Sequence, residues 1–239
     1  MLQTPRCVVP SFYLHRFDAG PGRAMVRILL ADDHDVVRRG LKALLQERSG
    51  WDVCGEAANG RDAVELAEKL QPDIAVLDLM MPDLNGLEAT RQIRKVSERT
   101  QVLIFTMHYS EGVIQDVLEA GARGYLLKED AERHIAAAVE TLLRHQPYFS
   151  SRVSETVLDG FLRSAKRHSQ GDALPRLTPR EREIIQLLAE GHRNKRIAQM
   201  LGMSIKTVET HRTTLMRKIG AKSIVEVVRY AVRNHLTEA

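Results

Sequence analysis

The segment "IAVLDLMMPDLNG" (74–86) places an aspartate, Asp78, directly behind four apolar residues. A short apolar run of this kind is typical of a strand that is buried on both faces. An unpaired carboxylate is costly to bury, so Asp78 must be paired, bind a metal ion or lie at an exposed strand end. In open α/β sheets, ligands bind outside the carboxyl ends of the strands. The segment therefore predicts a buried strand that ends in a binding site.

Outward from this segment, short apolar runs alternate with amphipathic stretches between residues 25 and 145. Parallel strands covered on both faces give this pattern, and right-handed crossovers then wind the chain over both faces of the sheet. We predict an α/β doubly wound, five-stranded parallel sheet. Its strands are expected at 26–32, 51–57, 73–78, 101–106 and 124–128, and its helices at 36–47, 60–70, 86–96, 111–120 and 131–145.

The pattern becomes purely helical from Leu177 onward. Thr178 is placed as an N-cap, Pro179 as the first helical residue, and Glu181 as the partner that completes a capping box. Two short helices joined by "GMS", the second rich in polar and basic residues, indicate a small all-α helix-turn-helix domain. Its helices are expected at 178–191, 194–202, 204–220 and 223–236.

The predicted organisation is a disordered tail (1–24), an α/β domain (25–147), a linker with a short helix (148–175) and a helical domain (176–239). Met25 directly precedes the first strand and is an alternative start of translation. The first 24 residues lack the continuous apolar core of a signal peptide. No apolar run reaches the roughly 20 residues that span a bilayer. With only two cysteines, the chain is predicted to be cytoplasmic and not bound to a membrane.

Charge is distributed unevenly along the chain. Residues 25–145 contain 15 Lys and Arg against 21 Asp and Glu, whereas residues 176–239 contain 13 against 6. An acidic part joined to a basic part indicates one domain that handles cations and one that meets polyanions. Chance surface composition explains the same asymmetry, so charge alone does not distinguish the two interpretations, and the sequence motifs are needed to choose between them.

Polar residues follow four of the five predicted strands, and they should meet at one edge of the sheet. They are Asp32, Asp33, Asp78, Thr106 and Lys128. Carboxylates with few other protein ligands suit Mg²⁺, which keeps several waters and shares a phosphate. A carboxylate can also act as the nucleophile that forms an aspartyl phosphate. Taken singly, each residue is more often a turn residue, a cap or a solvated charge; their joint placement favours the site.

The motifs "ADDH", "LDLMMPDLNG", "FTMH" and "GYLLK" resemble the flavodoxin-like receiver domain of two-component response regulators. The resemblance implies that Asp78 is the phosphoacceptor and that Asp32, Asp33, Asp78 and the backbone carbonyl of Met80 hold Mg²⁺. It further implies that Thr106 and Tyr125 form a switch pair, that Lys128 contacts the phosphoryl group, and that Pro82 and Gly86 shape the loop after Asp78. The implied partner is a histidine kinase.

The helix expected at 204–220 has polar and basic residues on its outer face. In a helix-turn-helix, this second helix enters the major groove. Lys206, Arg212, Arg217 and Lys218 suit phosphates. The ordinary alternative is an amphipathic helix with a solvated face.

Residues 176–238 resemble the LuxR-type DNA-binding domain, which with the receiver is similar to the NarL/FixJ family. The resemblance implies base contacts from Glu209, Thr210 and Thr213, and backbone contacts from Lys206, Thr207 and His211. It also implies a dimerisation helix that carries Val225, Val228 and Val232. The expected protein is not an enzyme beyond its own phosphoryl transfer and autodephosphorylation. It is expected to bind double-stranded promoter DNA, as a homodimer when phosphorylated.

Two other classes of protein were weighed. An aspartyl-phosphate hydrolase usually carries a second acid two residues after its nucleophile, but that position here is Met80. A quorum-sensing regulator with the same DNA-binding module needs an apolar ligand cavity and has no use for Asp33, Asp78 and Lys128 together.

Overall fold

The computed structural model describes residues 25–150, 153–154 and 177–237. These residues form two units, a sheet unit (25–150) and a helical unit (177–237). The predicted tail and most of the predicted linker lie outside the described residues; of the short helix predicted in the linker, only residues 153–154 are described, and they are helical.

The sheet unit contains a parallel sheet with one strand more than the sequence predicted. Its strands are β1 (Val26–Ala31), β2 (Trp51–Ala57), β3 (Ile74–Leu77), β4 (Gln101–Thr106), β5 (Gly124–Leu127) and β6 (Tyr148–Phe149). They lie in the order β2-β1-β3-β4-β5-β6, and every pair is parallel. The prediction of five strands was wrong because the added strand, which pairs with β5 at the edge, is two residues long. Two residues are too few to show a periodicity.

Five helices cover the sheet. They are α1 (Asp35–Gln46), α2 (Gly60–Leu70), α3 (Gly86–Val96), α4 (Glu111–Glu119) and α5 (Ala131–Leu143). Asn59, Asn85 and Ser110 cap α2, α3 and α4, and each side chain accepts a hydrogen bond from a backbone N–H three residues later. A single 3₁₀ turn, Lys128–Asp130, separates β5 from α5. Local capping chemistry therefore fixes where three of these helices begin.

Alternation along each strand divides the core into two layers. Ile28, Leu30 and Val76 face α1 and α5, where they pack with buried residues such as Leu45 and Leu142. Leu29, Ala75 and Leu77 face the other side and pack with the alanines and leucines of α2, α3 and α4. Because helices cover both faces of the sheet, the charged side chains at the carboxyl ends of the strands lie at the edge of the sheet.

The helical unit contains four helices around a separate core. They are α6 (Pro179–Ala189), α7 (Asn194–Met200), α8 (Ile205–Ile219) and α9 (Ile224–Arg233). The predicted capping box at Thr178 and Glu181 is confirmed in both directions. The core of this unit includes Ile184, Val208 and Val227. Among the described residues, no helix has the length and apolar character needed to cross a membrane.

Candidate functional site

The carboxyl ends of β1 and β3 bring three carboxylates together. Asp32 and Asp33 follow β1 and Asp78 follows β3; one ligand atom from each, with a ring nitrogen of His34, lies within 4.8 Å of all the others. Asp32 and Asp78 are almost completely buried. We call Asp32, Asp33 and Asp78 the acidic cup. The carboxylates that the sequence predicted to converge do converge.

Lys128 supplies a cation that offsets part of the negative charge of the acidic cup. Its Nζ lies 2.6 Å from Oδ2 of Asp32 and 2.9 Å from Oδ2 of Asp78. The second oxygen of Asp78, Oδ1, accepts a hydrogen bond from the backbone N–H of Leu79 at 2.7 Å. Buried carboxylates need such partners because an isolated buried charge is strongly unfavourable. Both carboxylate oxygens of Asp78 thus have a partner, and Oδ2 contacts the ammonium group of Lys128.

The surroundings shift the pKa of both members of this ion pair upward. Burial raises the pKa of Asp78, and the attraction of Lys128 only partly opposes that rise. Burial would lower the pKa of Lys128, but the carboxylates of Asp78 and Asp32 outweigh it and raise that pKa. Repulsion from neighbouring Asp32 also raises the pKa of Asp78. The acidic cup therefore favours any additional positive charge.

The donor set fits Mg²⁺. Asp32, Asp33 and Asp78 supply hard carboxylate oxygens at a strand end that water reaches through Asp33, whose side chain is 32% exposed. Met80 lies in the loop after Asp78 with its side chain buried, and the role of its carbonyl stays a prediction. His34 was not predicted to belong to the site, although it follows the two aspartates directly. Its Nδ1 lies 2.8 Å from Oδ1 of Asp33.

The predicted switch residues meet at the backbone of His108. Thr106 is fully buried at the end of β4, and its Oγ1 accepts a hydrogen bond from the N–H of His108 at 3.2 Å. Tyr125 is fully buried in β5, and its hydroxyl donates to the carbonyl of His108 at 2.7 Å. Both residues therefore hold the same peptide segment of the β4–α4 loop. The sequence did not single out His108.

The loop after Asp78 is packed tightly against the start of α3. The N–H of Gly86 donates to the carbonyl of Leu79 at 2.8 Å. A Cβ atom added to Gly86 would lie 2.1 Å from the carbonyl oxygen of Asp78, so only glycine fits. The prediction that Gly86 shapes this loop has this close approach as its physical basis.

The outer face of α8 is accessible in the structure. Exposed residues on it are Lys206, Thr207, Glu209, Thr210, Thr213 and Arg217, and half-buried ones are His211, Arg212 and Lys218. The hydroxyls of Thr210 and Thr213 donate to backbone carbonyls one turn earlier. The sheet unit therefore does not cover the helix that was predicted to enter the major groove.

Two of the predicted DNA-contacting side chains already have partners within the helical unit. Nζ of Lys218 lies 2.7 Å from Oε2 of Glu181 in α6, and Nη1 of Arg212 donates to Oδ1 of Asn194 at 3.5 Å. Burial alone would raise the pKa of Glu181, but its bonds to Lys218 and to the N–H of Thr178 hold that pKa below its usual value. Lys218 therefore ties α8 to α6, and its contact with phosphate stays a prediction.

The predicted dimerisation residues lie on α9. Val225 is 56% exposed, and Val228 and Val232 are half-buried. The residues of α9 that face the core are instead Val227 and Ala231. A partly exposed valine face is thus separate from the core face, and its pairing with a second chain stays a prediction.

Comparison with known proteins covers both units. Residues 28–140 match the family model of the response regulator receiver domain, and residues 175–231 match that of the bacterial regulatory proteins of the luxR family. The transcriptional regulatory protein LiaR of Bacillus subtilis is 40% identical over 214 residues, which are 89% of this chain and 99% of LiaR. The oxygen regulatory protein NreC of Staphylococcus carnosus is 36% identical over 216 residues, which are 89% of this chain and all of NreC.

A solved structure supports the same similarity for part of the chain. It is the crystal structure of a two-component response regulator of the LuxR family from Aurantimonas sp. SI85-9A1. It is 35% identical, with a TM-score of 0.55, and the match covers 58% of this chain and 99% of that one.

Proposed function

This chain belongs to the NarL/FixJ family of two-component response regulators, DNA-binding regulators of transcription, and on that premise we propose that Asp78 is its phosphoacceptor. The observation that carries the proposal is the acidic cup with Lys128: a buried carboxylate with a cation at 2.9 Å, beside two further carboxylates. The phosphoryl donor is a histidine kinase. We assign the receiver to residues 25–147 together with β6 (Tyr148–Phe149), which pairs with β5, the linker to the rest of 148–175 and the DNA-binding domain to 176–239.

In the proposed transfer, an oxygen of Asp78 attacks the phosphorus of a phosphohistidine. The new O–P bond forms as the P–N bond breaks, and the kinase imidazole leaves with the electron pair. Lys128 stands 2.9 Å from Oδ2 of Asp78 and compensates the negative charge of the transferring group. Bound Mg²⁺, held by Asp32, Asp33, Asp78 and the carbonyl of Met80, would supply further positive charge. Catalysis is then mainly positioning and electrostatics.

Phosphorylation converts the carboxylate of Asp78 into an acyl phosphate, whose phosphoryl group carries about −1.5 to −2 charges and three acceptor oxygens. We propose that the Thr106 hydroxyl turns to donate to one of these oxygens and gives up the hydrogen bond that it accepts from His108. Tyr125, which donates to the carbonyl of the same residue, must then adjust as well. The β4–α4 loop is thereby the first part of the receiver to change shape.

The exposure of α8 limits how the switch can act on DNA binding. Because its outer face is already accessible, phosphorylation need not uncover it. We propose that phosphorylation instead favours a homodimer, through Val225, Val228 and Val232, that reaches two half-sites about one turn of DNA apart. Base contacts are assigned to Glu209, Thr210 and Thr213, and phosphate contacts to the basic residues of α8.

The acceptor is tested by labelling the full chain with acetyl phosphate and Mg²⁺. Asp78→Asn should abolish labelling because the amide is not a nucleophile. Asp35→Asn is the matched control, since Asp35 is an exposed aspartate that binds Arg38 and Arg39 near the acidic cup. Undiminished labelling of Asp78→Asn would show that another residue accepts the phosphoryl group.

The regulatory part of the proposal is tested by DNA footprinting. Promoter DNA should be protected at lower protein concentration after treatment with acetyl phosphate, and protection should weaken steeply with salt. Equal affinity with and without acetyl phosphate would contradict control of DNA binding by phosphorylation.

A further inference from the structure

The DNA-binding domain contacts the loop that follows Asp78 through a buried glutamine. Gln186 of α6 is fully buried. Its Nε2 donates to the carbonyl of Met81 at 2.8 Å, and its Oε1 accepts from the N–H of Asn85 at 2.9 Å. One side chain of the DNA-binding domain thus binds the two ends of the turn 81–85 in the receiver.

We infer that Gln186 is a positioning residue for the phosphoacceptor: it fixes the loop after Asp78 in its docked shape and thereby slows phosphorylation of the receiver. The inference rests on the proposed role of Asp78. The DNA-binding domain then lowers the rate at which the receiver is phosphorylated, in addition to being controlled by that phosphorylation.

The two hydrogen bonds from Gln186 to the loop matter because both partners are buried backbone groups. Met81 is 3% exposed and Asn85 is 1% exposed. A buried N–H or C=O without a partner is costly, so almost all such groups are paired. When the DNA-binding domain leaves, the carbonyl of Met81 and the N–H of Asn85 must find water or each other. The shape of the loop is therefore linked to docking.

Tight packing carries a change in this loop to Asp78. Asn85 caps α3, and its Oδ1 accepts from the N–H of Glu88 at 2.9 Å. The next residue, Gly86, approaches the carbonyl oxygen of Asp78 so closely that an added Cβ would lie 2.1 Å from it. Close-packed groups cannot shift independently of each other. A displacement of Asn85 therefore also displaces the backbone of Asp78.

The sign of the effect follows from a second contact between the two domains. The ring of His108, in the β4–α4 loop, lies 5.3 Å from the ring of His235 after α9. Thr106 and Tyr125 hold the backbone of His108 in this position. Since the proposed switch draws Thr106 away from His108, the phosphorylated shape and the docked shape compete. Coupling between two equilibria is reciprocal, so a contact that favours docking disfavours phosphorylation.

The experiment compares two isosteric substitutions in the full chain. Gln186→Met keeps the approximate volume of the side chain and removes both hydrogen bonds to the loop. It also removes the one that Nε2 donates to Oε1 of Glu190, whose carboxylate accepts from the N–H of Asp83 in the same turn. Gln92→Met is the matched control: Nε2 of Gln92 donates to Oε1 of Glu183 across the same interface at 3.0 Å, but Gln92 lies within α3, outside the loop. Each variant is assayed for its rate of labelling by acetyl phosphate with Mg²⁺. Hydrogen exchange of the peptide that contains Asn85 is measured in metal-free buffer.

We expect Gln186→Met to be labelled faster and to exchange the Asn85 amide faster, whereas Gln92→Met, which loses one hydrogen bond of the same interface and none to the loop, should show a clearly smaller increase in both rates. Two lost hydrogen bonds shift the ratio of docked to undocked forms by about tenfold, so labelling should accelerate about fivefold or more. Unchanged or slower labelling of Gln186→Met overturns the inference. Equal acceleration in both variants also overturns it, because the interface as a whole would then act. Labelling that persists in Asp78→Asn overturns the proposed acceptor instead, which separates the two failures.

Discussion

Removal of the cation in the acidic cup, by Lys128→Met, should destabilise the receiver strongly. Nζ of Lys128 lies 2.6 Å from Asp32 and 2.9 Å from Asp78, whose side chains are 3% and 5% exposed. Methionine keeps the length of the side chain but leaves two adjacent carboxylates without their partner. The loss should be largest at neutral pH without divalent cations.

The magnitude follows from the burial of the pair. Breaking a buried ion pair by removing one partner costs roughly 3–5 kcal/mol. We take about 3 kcal/mol, the low end of that range, because the side chain of Lys128 is itself 10% exposed to water. For a domain of this size, each kcal/mol lowers Tm by about 4 °C, so the expected fall is about 12 °C.

Lys42→Met is the matched control. Nζ of Lys42 lies 2.6 Å from Oε1 of Glu56, but both side chains are about a third exposed (37% and 32%). An exposed pair contributes only about 0–1 kcal/mol, so its Tm should fall by less than about 4 °C. The two substitutions are chemically identical, but Lys128 is paired with two buried carboxylates and Lys42 with one partly exposed carboxylate.

The assay is thermal unfolding followed by tryptophan fluorescence, first in EDTA and then with Mg²⁺. The chain has one tryptophan, Trp51, which lies in β2, so the signal reports the receiver alone. Mg²⁺ should raise the Tm of Lys128→Met more than that of the unsubstituted protein, because a bound ion stabilises the folded state and no ammonium competes for the carboxylates. A Lys128→Met receiver that loses no more stability than Lys42→Met, or that Mg²⁺ stabilises no further, would refute the electrostatic account of the acidic cup.

Two more predictions follow from close packing and from the exposed helix. Gly86→Ala should lower the free energy of unfolding by at least about 2 kcal/mol through overpacking against the carbonyl of Asp78. In Gly112→Ala the added Cβ atom would have nothing within 4 Å, so the free energy of unfolding should stay unchanged or rise by up to about 1 kcal/mol. Urea unfolding of both variants measures these changes, and equal stability of the two variants would contradict the prediction. Lys206→Ala should weaken binding to all DNA sequences alike and lower the salt slope by about 1, whereas Thr210→Val should change the preferred sequence. Anisotropy titrations at several salt concentrations test this, and a sequence-dependent loss in Lys206→Ala would argue against a phosphate contact.

Most of the sheet unit could be predicted because its signals are local. Buried parallel strands appear as apolar runs, and β2, α2, α3 and β4 begin and end at the predicted residues. The capping box at Thr178 and Glu181 is likewise complete within four residues. The sequence missed β6 because its two residues are too few to show a periodicity, and they form a strand by pairing with Gly124 and Tyr125 across the sheet edge.

The convergence of Asp32, Asp33, Asp78 and Lys128 also followed from sequence, by a topological argument. The carboxyl ends of parallel strands share one edge, so residues that directly follow those strands must meet there. Topology predicts which residues form the acidic cup but not the distances between them. It could not show that Lys128 bridges Asp32 and Asp78, nor that Thr106 and Tyr125 both bind the backbone of His108.

The amino-acid sequence was enough to predict the two units, the chain order of their helices and of every strand except β6, and the chemistry at the end of the sheet. It was enough because hydrophobic periodicity and capping act between residues that are near in the chain. The contacts of Gln186 with Met81 and Asn85, and of His235 with His108, became visible only in the folded chain. They join residues more than a hundred positions apart. A polar side chain gives no sign in the sequence of which distant group it will contact.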